Sequence, residues 1–227
     1  MQWLDLTLDL FFPDTCPACG GIPARTLPLA LCGRCIPELW SLPRAMPRGP
    51  GQRTAVALGD YEGPLGRALL HAKSGGRRRA LHGLGCWAAE QLAGRVPSVD
   101  AIVPVPSSMA HGLDPVLVLS RPVGTRLGVP VVPLVERVSS MGQHGRTAGA
   151  RRALAHQSYR VPVLDHVRPP QRVLLFDDVR TTGATLDACT QELLGAGVRR
   201  VHVVTLTVAS GERRRGLGPL TGLPSEP

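Results

Sequence analysis

The sequence predicts an α/β fold, a mostly parallel sheet flanked by helices, with a small N-terminal zinc-ribbon-like module ahead of it. Three observations carry this reading. Val173-Leu174-Leu175-Phe176 is a run of four large apolar residues, which suits a strand buried on both faces of a parallel sheet. A small hydroxyl-rich loop follows, then Leu186, Cys189 and Leu193 at helical spacing, and residues 201–208 resume strand character, which together form a βαβ pattern. Upstream of these, four cysteines stand as two Cys-x-x-Cys pairs.

The chain has 227 residues, 43% of them hydrophobic, enough for one ordinary core and an appendage. We divide it into a knuckle module at 1–45, a Pro- and Gly-rich linker at 46–53, a main domain at 54–210, and a Gly/Pro-rich disordered tail at 211–227. No apolar stretch reaches membrane-spanning length. The stretch 4–12 is short and interrupted by Asp5 and Asp9, so a cytoplasmic protein without membrane insertion is expected. The formal net charge is +9, and Lys73 is the sole lysine. An arginine bias of this kind has two readings, genomic base composition or binding of phosphate groups.

Cys16-Pro17-Ala18-Cys19 and Cys32-Gly33-Arg34-Cys35 form a four-thiolate zinc signature, because two sulfurs three residues apart can turn onto one tetrahedral ion. Disulfides or a redox pair are the alternatives; thiols in matched pairs in a cytosolic chain favour metal. Cys86 and Cys189 lie in apolar helical patterns and are expected in the core. A strand over 54–61 leads through Glu62-Gly63-Pro64 into a helix with Leu65, Ala68, Leu69 and Ala72 on one face. Lys73-Ser74-Gly75-Gly76-Arg77-Arg78-Arg79 then makes a pliable basic loop, either an anion site or a solvated turn. A second buried strand, Ala101-Ile102-Val103-Pro104-Val105-Pro106, delivers Ser107 and Ser108 to the same carboxyl edge of the sheet. Asp114 and Pro115 open a further helix, which Pro122 should kink or end. A short strand or edge is expected within 129–138. Residues 139–152 are polar and basic, with Gln143, His144, Arg146, Arg151 and Arg152, and suit a mobile lid. His144 has no partner visible in the sequence.

The loop after Phe176 concentrates the chemistry. Thr181, Thr182 and Thr185 offer hydroxyls, Gly183 and Ala184 let backbone N–H groups approach, and the helix that follows presents its positive end, so together they suit a phosphate. Asp177 and Asp178 would repel a bare phosphate; they suit sugar hydroxyls or a hydrated Mg²⁺. A phosphorylated sugar satisfies both halves. A capped helix start with two solvated acids is the plainer alternative. No Gly-x-x-x-x-Gly-Lys-Ser/Thr loop occurs in the chain.

The stretch resembles the ribose-5-phosphate loop of type I phosphoribosyltransferases, which bind phosphoribosyl pyrophosphate (PRPP), usually with Mg²⁺. By that resemblance Asp177 and Asp178 hold the ribose hydroxyls, and Thr181, Thr182, Gly183, Ala184 and Thr185 wrap the 5′-phosphate. Taken with the cysteine knuckles, Tyr61-Glu62-Gly63-Pro64-Leu65, Lys73 with Gly75-Gly76-Arg77, and Ile102-Val103-Pro104-Val105-Pro106, it extends over nearly the whole chain and resembles the ComF family. That resemblance implies a structural zinc held by Cys16, Cys19, Cys32 and Cys35, joined to a phosphoribosyltransferase domain and associated with natural transformation. The chain departs from relatives at Gly112-Leu113-Asp114-Pro115-Val116, where many carry Arg-Gly-Phe-Asn-Gln, and at Arg151-Arg152-Ala153-Leu154, where many carry Arg-Arg-x-Asn. If phosphoribose is transferred to a base or amine, Mg²⁺ at Asp177 and Asp178 (directly or through water) and Lys73 neutralise the leaving pyrophosphate, with Arg151 or Arg152 closing over it. Ser107 and Ser108 would border the same ligand. The alternative is a non-enzymatic competence protein that uses the fold to bind single-stranded DNA and other competence proteins, mainly by charge, since aromatic residues are few.

Overall fold

The structure is a computed structural model and describes residues 15–16, 18–22, 31–35, 43–74, 76–107, 112–138, 158–162 and 168–209. Among them the elements run β1 (Arg44–Ala45), β2 (Gln52–Asp60), α1 (Pro64–Ser74), α2 (Arg78–Leu92), β3 (Ala101–Pro104), α3 (Pro115–Leu127), β4 (Glu136–Arg137), β5 (Tyr159–Arg160), β6 (Arg172–Arg180), α4 (Ala184–Gly195) and β7 (Arg200–Val208). The main sheet has the order β1-β2-β7-β6-β3. Only the β1–β2 pair is antiparallel; β2–β7, β7–β6 and β6–β3 are parallel, so the sheet is mixed and mostly parallel, as expected. No helix among the described residues is long and apolar enough to cross a membrane.

Residue alternation along β6 explains how the apolar run is used. Leu174 and Phe176 belong to a buried cluster shared with α1, α2 and α3, whereas Val173 and Leu175 belong to a second cluster shared with Leu186, Cys189 and Leu193 of α4. Helices therefore cover both faces. All four of these strand residues are 0% exposed, and each such side chain contributes about 1.5–3 kcal/mol on burial.

The helices follow the sequence signals with one exception. Asp114 caps α3 by accepting from the Val116 and Leu117 N–H groups at 2.9 and 3.1 Å, with Pro115 as first residue. Pro122 neither ends nor replaces this helix, which runs on to Leu127 and closes on Gly128 at φ 69°. A proline inside a helix costs about 3 kcal/mol. Burial of Val116, Leu119 and Val123, each 0% exposed, outweighs that. Gly85 of α2 makes the crossing possible, since a Cβ there would stand against the Leu119 carbonyl.

Three further expectations are refined. The first long strand begins at Gln52 instead of Thr54. The segment 46–53 is held by several bonds: Met46 N–H donates to the Ala55 carbonyl at 2.7 Å, the Gln52 amide to Asp187 at 2.9 Å, and the Gln191 amide to the Pro50 carbonyl at 2.9 Å. The expected strand in 129–138 divides in two. Val131 bridges Ile102 beside β3, and β4 pairs antiparallel with β5. Cys189 is in the core as expected, but Cys86 is only half-buried, with its sulfur 3.6 Å from His82 Nδ1 on the outer side of α2. The 211–227 tail, the stretch 4–12, and the segment 139–152 with His144, Arg151 and Arg152 lie outside the described residues.

Candidate functional site

The four knuckle cysteines come together. Their sulfurs all lie within 4.8 Å of one another, with Cys19 and Cys32 at 3.5 Å. A tetrahedral zinc with sulfurs at about 2.3 Å spaces them about 3.8 Å apart, so the cluster is of the right size. The first knuckle turns through Cys19 N–H and Gly20 N–H, both donating to the Cys16 carbonyl; the second turns through Cys35 N–H donating to the Cys32 carbonyl. Backbone N–H groups of Cys35 and Arg34, then the Cys19 thiol, pull Cys32 down to about 6, while burial and the neighbouring thiols push Cys35 up to about 12. A cation at the centre resolves that conflict by stabilising every thiolate at once, so these residues can hold a zinc ion. All four are free thiols, three of them buried.

The second cluster lies at the carboxyl edge of the parallel strands. There β6 ends in Asp177 and Asp178, which are 8% and 6% exposed. Neighbours along a strand point to opposite faces, and the two acids do so. Asp178 is on the α1 side, where it accepts from Lys73 Nζ at 2.6 Å. Asp177 is in register with Thr205 of β7, on the α4 side, and accepts from the Asp178 N–H at 2.8 Å. Burial, with the Asp178 charge second, pushes the Asp177 carboxyl up to about 8. The Thr205 hydroxyl beside it is buried and has no hydrogen-bond partner among the described residues.

Helix α1 delivers Lys73 because its last turn is closed twice: Arg77 N–H donates to the Ala72 carbonyl at 3.0 Å and Gly76 N–H to the Lys73 carbonyl at 3.2 Å. The lysine therefore serves the site as part of a helix end. Gly75 of the basic loop lies outside the described residues.

After β6 the chain turns through Thr181 and Thr182, both exposed, into α4. Gly183 precedes α4 at φ 77°, a conformation that favours glycine, and a Cβ there would stand 2.9 Å from the buried Arg180 guanidinium. The α4 amides at Ala184 and Thr185 open the helix, with Ala184 N–H 3.4 Å from the Thr182 hydroxyl. Ser107, at the end of the segment following β3, donates its hydroxyl to Asp114 at 2.8 Å, tying that loop to the cap of α3. Ser108 falls outside the described residues, as do Arg151 and Arg152.

Three participants escaped the sequence reading. Arg180 looked like one of many arginines, yet it is 5% exposed and underlies Gly183. Tyr159 of β5 is half-buried with the Thr185 hydroxyl as partner, and burial raises its phenol above the usual range. Asp114 was read as a cap alone, but it also holds Ser107. Only the tertiary approach of β5 and α3 to this edge reveals the last two; the available hint for Arg180 was its place two residues after the acid pair and just before the threonine loop.

No protein-family model matches the chain. It is 27% identical over 201 residues to Competence protein F of Haemophilus influenzae, covering 82% of this chain and 87% of that protein. Over 89 residues it is 36% identical to an adenine phosphoribosyltransferase of Frankia alni; this covers 39% of the chain and 46% of that enzyme, so the match spans less than half the enzyme's length. Among solved structures, the adenine phosphoribosyltransferase of Leishmania tarentolae aligns with a TM-score of 0.36 at 15% identity, covering 58% of this chain and 71% of that one. The resemblance carried by the cysteine pairs and the acid–threonine loop thus has a counterpart in sequence similarity to Competence protein F across most of the chain.

Proposed function

We propose that this phosphoribosyltransferase-like competence protein binds PRPP, or a related phosphorylated ribose, at the carboxyl edge of β6. The observation that carries the reading is the loop itself: Gly183 at φ 77° opens α4 beneath two exposed threonines and directly beyond two buried acids. The α4 N-terminus and the hydroxyls of Thr181, Thr182 and Thr185 would take the 5′-phosphate. Asp178, with Asp177 behind it, would accept hydrogen bonds from the ribose. Mg²⁺, when bound, would supply charge neutralisation at the pyrophosphate. Lys73 would supply the same from the protein, and Arg151 or Arg152 would approach from the polar segment 139–152. Transfer to a base or amine is the reaction class this arrangement suits, by stabilising a pyrophosphate leaving group. Calorimetry of PRPP with and without Mg²⁺ tests the reading. Wild type should bind, replacing Asp177 and Asp178 together by Asn should weaken PRPP but not free phosphate, and an absence of PRPP binding by wild type rejects it.

A second reading, electrostatic binding of single-stranded DNA, is favoured by the opposite edge of the sheet. Arg53, Arg168, Arg199 and Arg200 are exposed around the starts of β2, β6 and β7. Affinity that falls steeply with salt, and falls again when these arginines are replaced, would support it. Salt-insensitive binding of one base sequence would reject it.

A further inference from the structure

We infer that the cysteine knuckle, acting through Arg67, is a positioning device for Lys73: metal in the knuckle steadies α1, and α1 sets the ammonium against Asp178. Arg67 lies on α1 and donates from Nε to the Ala18 carbonyl, inside the first knuckle, at 2.9 Å. A second guanidinium nitrogen donates to the Glu62 carbonyl, just before the helix, at 3.1 Å. One side chain thereby ties the knuckle to the turn that launches α1. Below it, Cys16, Ala18, Leu31, Cys32 and Cys35 belong to the same buried cluster as Leu65, Ala68, Leu69 and Ala72 of α1. The knuckle is packed into the core on which the helix rests.

Arg67 and Lys73 are six residues apart on one helix, about 9 Å along its axis. At that lever arm a tilt of about 6° moves the lysine by about 1 Å, and misplacement of that size in a binding constellation weakens function by up to about 100-fold. The Lys73–Asp178 contact at 2.6 Å leaves little room for such a shift. The brace depends on metal because the described knuckle residues form only turns, with no helix or strand of their own. Short segments of this kind keep one conformation through their ligands. Arg67 is therefore a positioning residue, acting on the ligand site through Lys73.

The test begins with the full chain, zinc-loaded or metal-stripped, compared by hydrogen exchange. Residues 64–74 should lose protection on metal removal while 184–195 keep theirs, and Arg67→Ala should reproduce the effect with zinc still bound. Arg67→Lys, which retains a donor, should restore part of it. Unchanged exchange at 64–74, or an equal loss at both helices, overturns the inference. A second arm rests on the PRPP reading. Coupling between sites is reciprocal, so PRPP should slow transfer of zinc to a chromophoric chelator several-fold in wild type, and not in Lys73→Met. PRPP that binds by calorimetry yet leaves zinc release unchanged overturns the coupling. Failure of PRPP to bind rejects the proposed function instead, and the exchange comparison then decides the brace alone.

Discussion

The two ends of β6 each carry an acid–base pair, and they serve different ends. At the amino end Arg172 donates to Asp100 through its backbone N–H at 2.8 Å and through two guanidinium nitrogens at 3.2 and 2.7 Å. These bonds, before the charges themselves, hold the Asp100 carboxyl below the usual range. Both carboxylate oxygens of Asp100 accept from Arg172, and both partners reach solvent. At the carboxyl end a single ammonium faces Asp178, while Asp177 is buried behind it and is pushed up to about 8. The first pair staples β3 to β6. The second leaves one carboxyl short of compensation at the edge where the glycine–threonine loop opens, and an incompletely satisfied charge cluster of that kind is typical of a ligand site.

The largest expected effect comes from the loop. Gly183→Val must adopt a strained positive φ and displace Arg180, so PRPP affinity should fall by about 10- to 100-fold in calorimetry, with far-UV circular dichroism unchanged. Equal affinity in the variant would show that the loop is not the phosphate site. Next is Lys73→Met, which strips Asp178 of its partner. Breaking a fully buried pair costs about 3–5 kcal/mol; the Lys73 side chain is 35% exposed, so about 2 kcal/mol is expected in urea denaturation. Adding Asp178→Asn should recover most of that loss, because the carboxylate that Lys73 faced is then gone. At the other end of the strand, Asp100→Asn should lower stability by about 1 kcal/mol or less and leave PRPP binding untouched.

The effects on pH dependence have opposite signs at the two ends. Asp177, with its folded value raised to about 8, favours the folded state fully below the ordinary carboxylate range and loses that contribution as pH rises toward 8. Asp100, with its value lowered, contributes above the ordinary range and loses its contribution as pH falls through its folded value. Denaturation midpoints of the zinc-loaded protein should therefore flatten above about pH 5 in Asp177→Asn and below about pH 4 in Asp100→Asn. The same slope change in both variants would remove the distinction between the two ends.

Much of the molecule was legible in residue order, because the signals involved are local. An apolar run long enough only for a strand, Pro115 behind an aspartate, cysteines in matched pairs and a glycine placed where φ turns positive act within a few residues. They marked the strands, the knuckle and the loop without help from the rest of the chain. Tertiary structure decided what depends on faces and neighbours. Asp177 and Asp178 are adjacent in sequence, but strand alternation sends one toward α4 and the other to Lys73 of α1, 105 residues away. Pro122 stays within its helix because burial of Val116, Leu119 and Val123 exceeds the loss of one backbone bond, a balance set by α2 and the sheet. Arg67 reaches the knuckle for a related reason. Its partner is a carbonyl of Ala18, which no side-chain pattern identifies, and the contact exists only because the knuckle and α1 share one core.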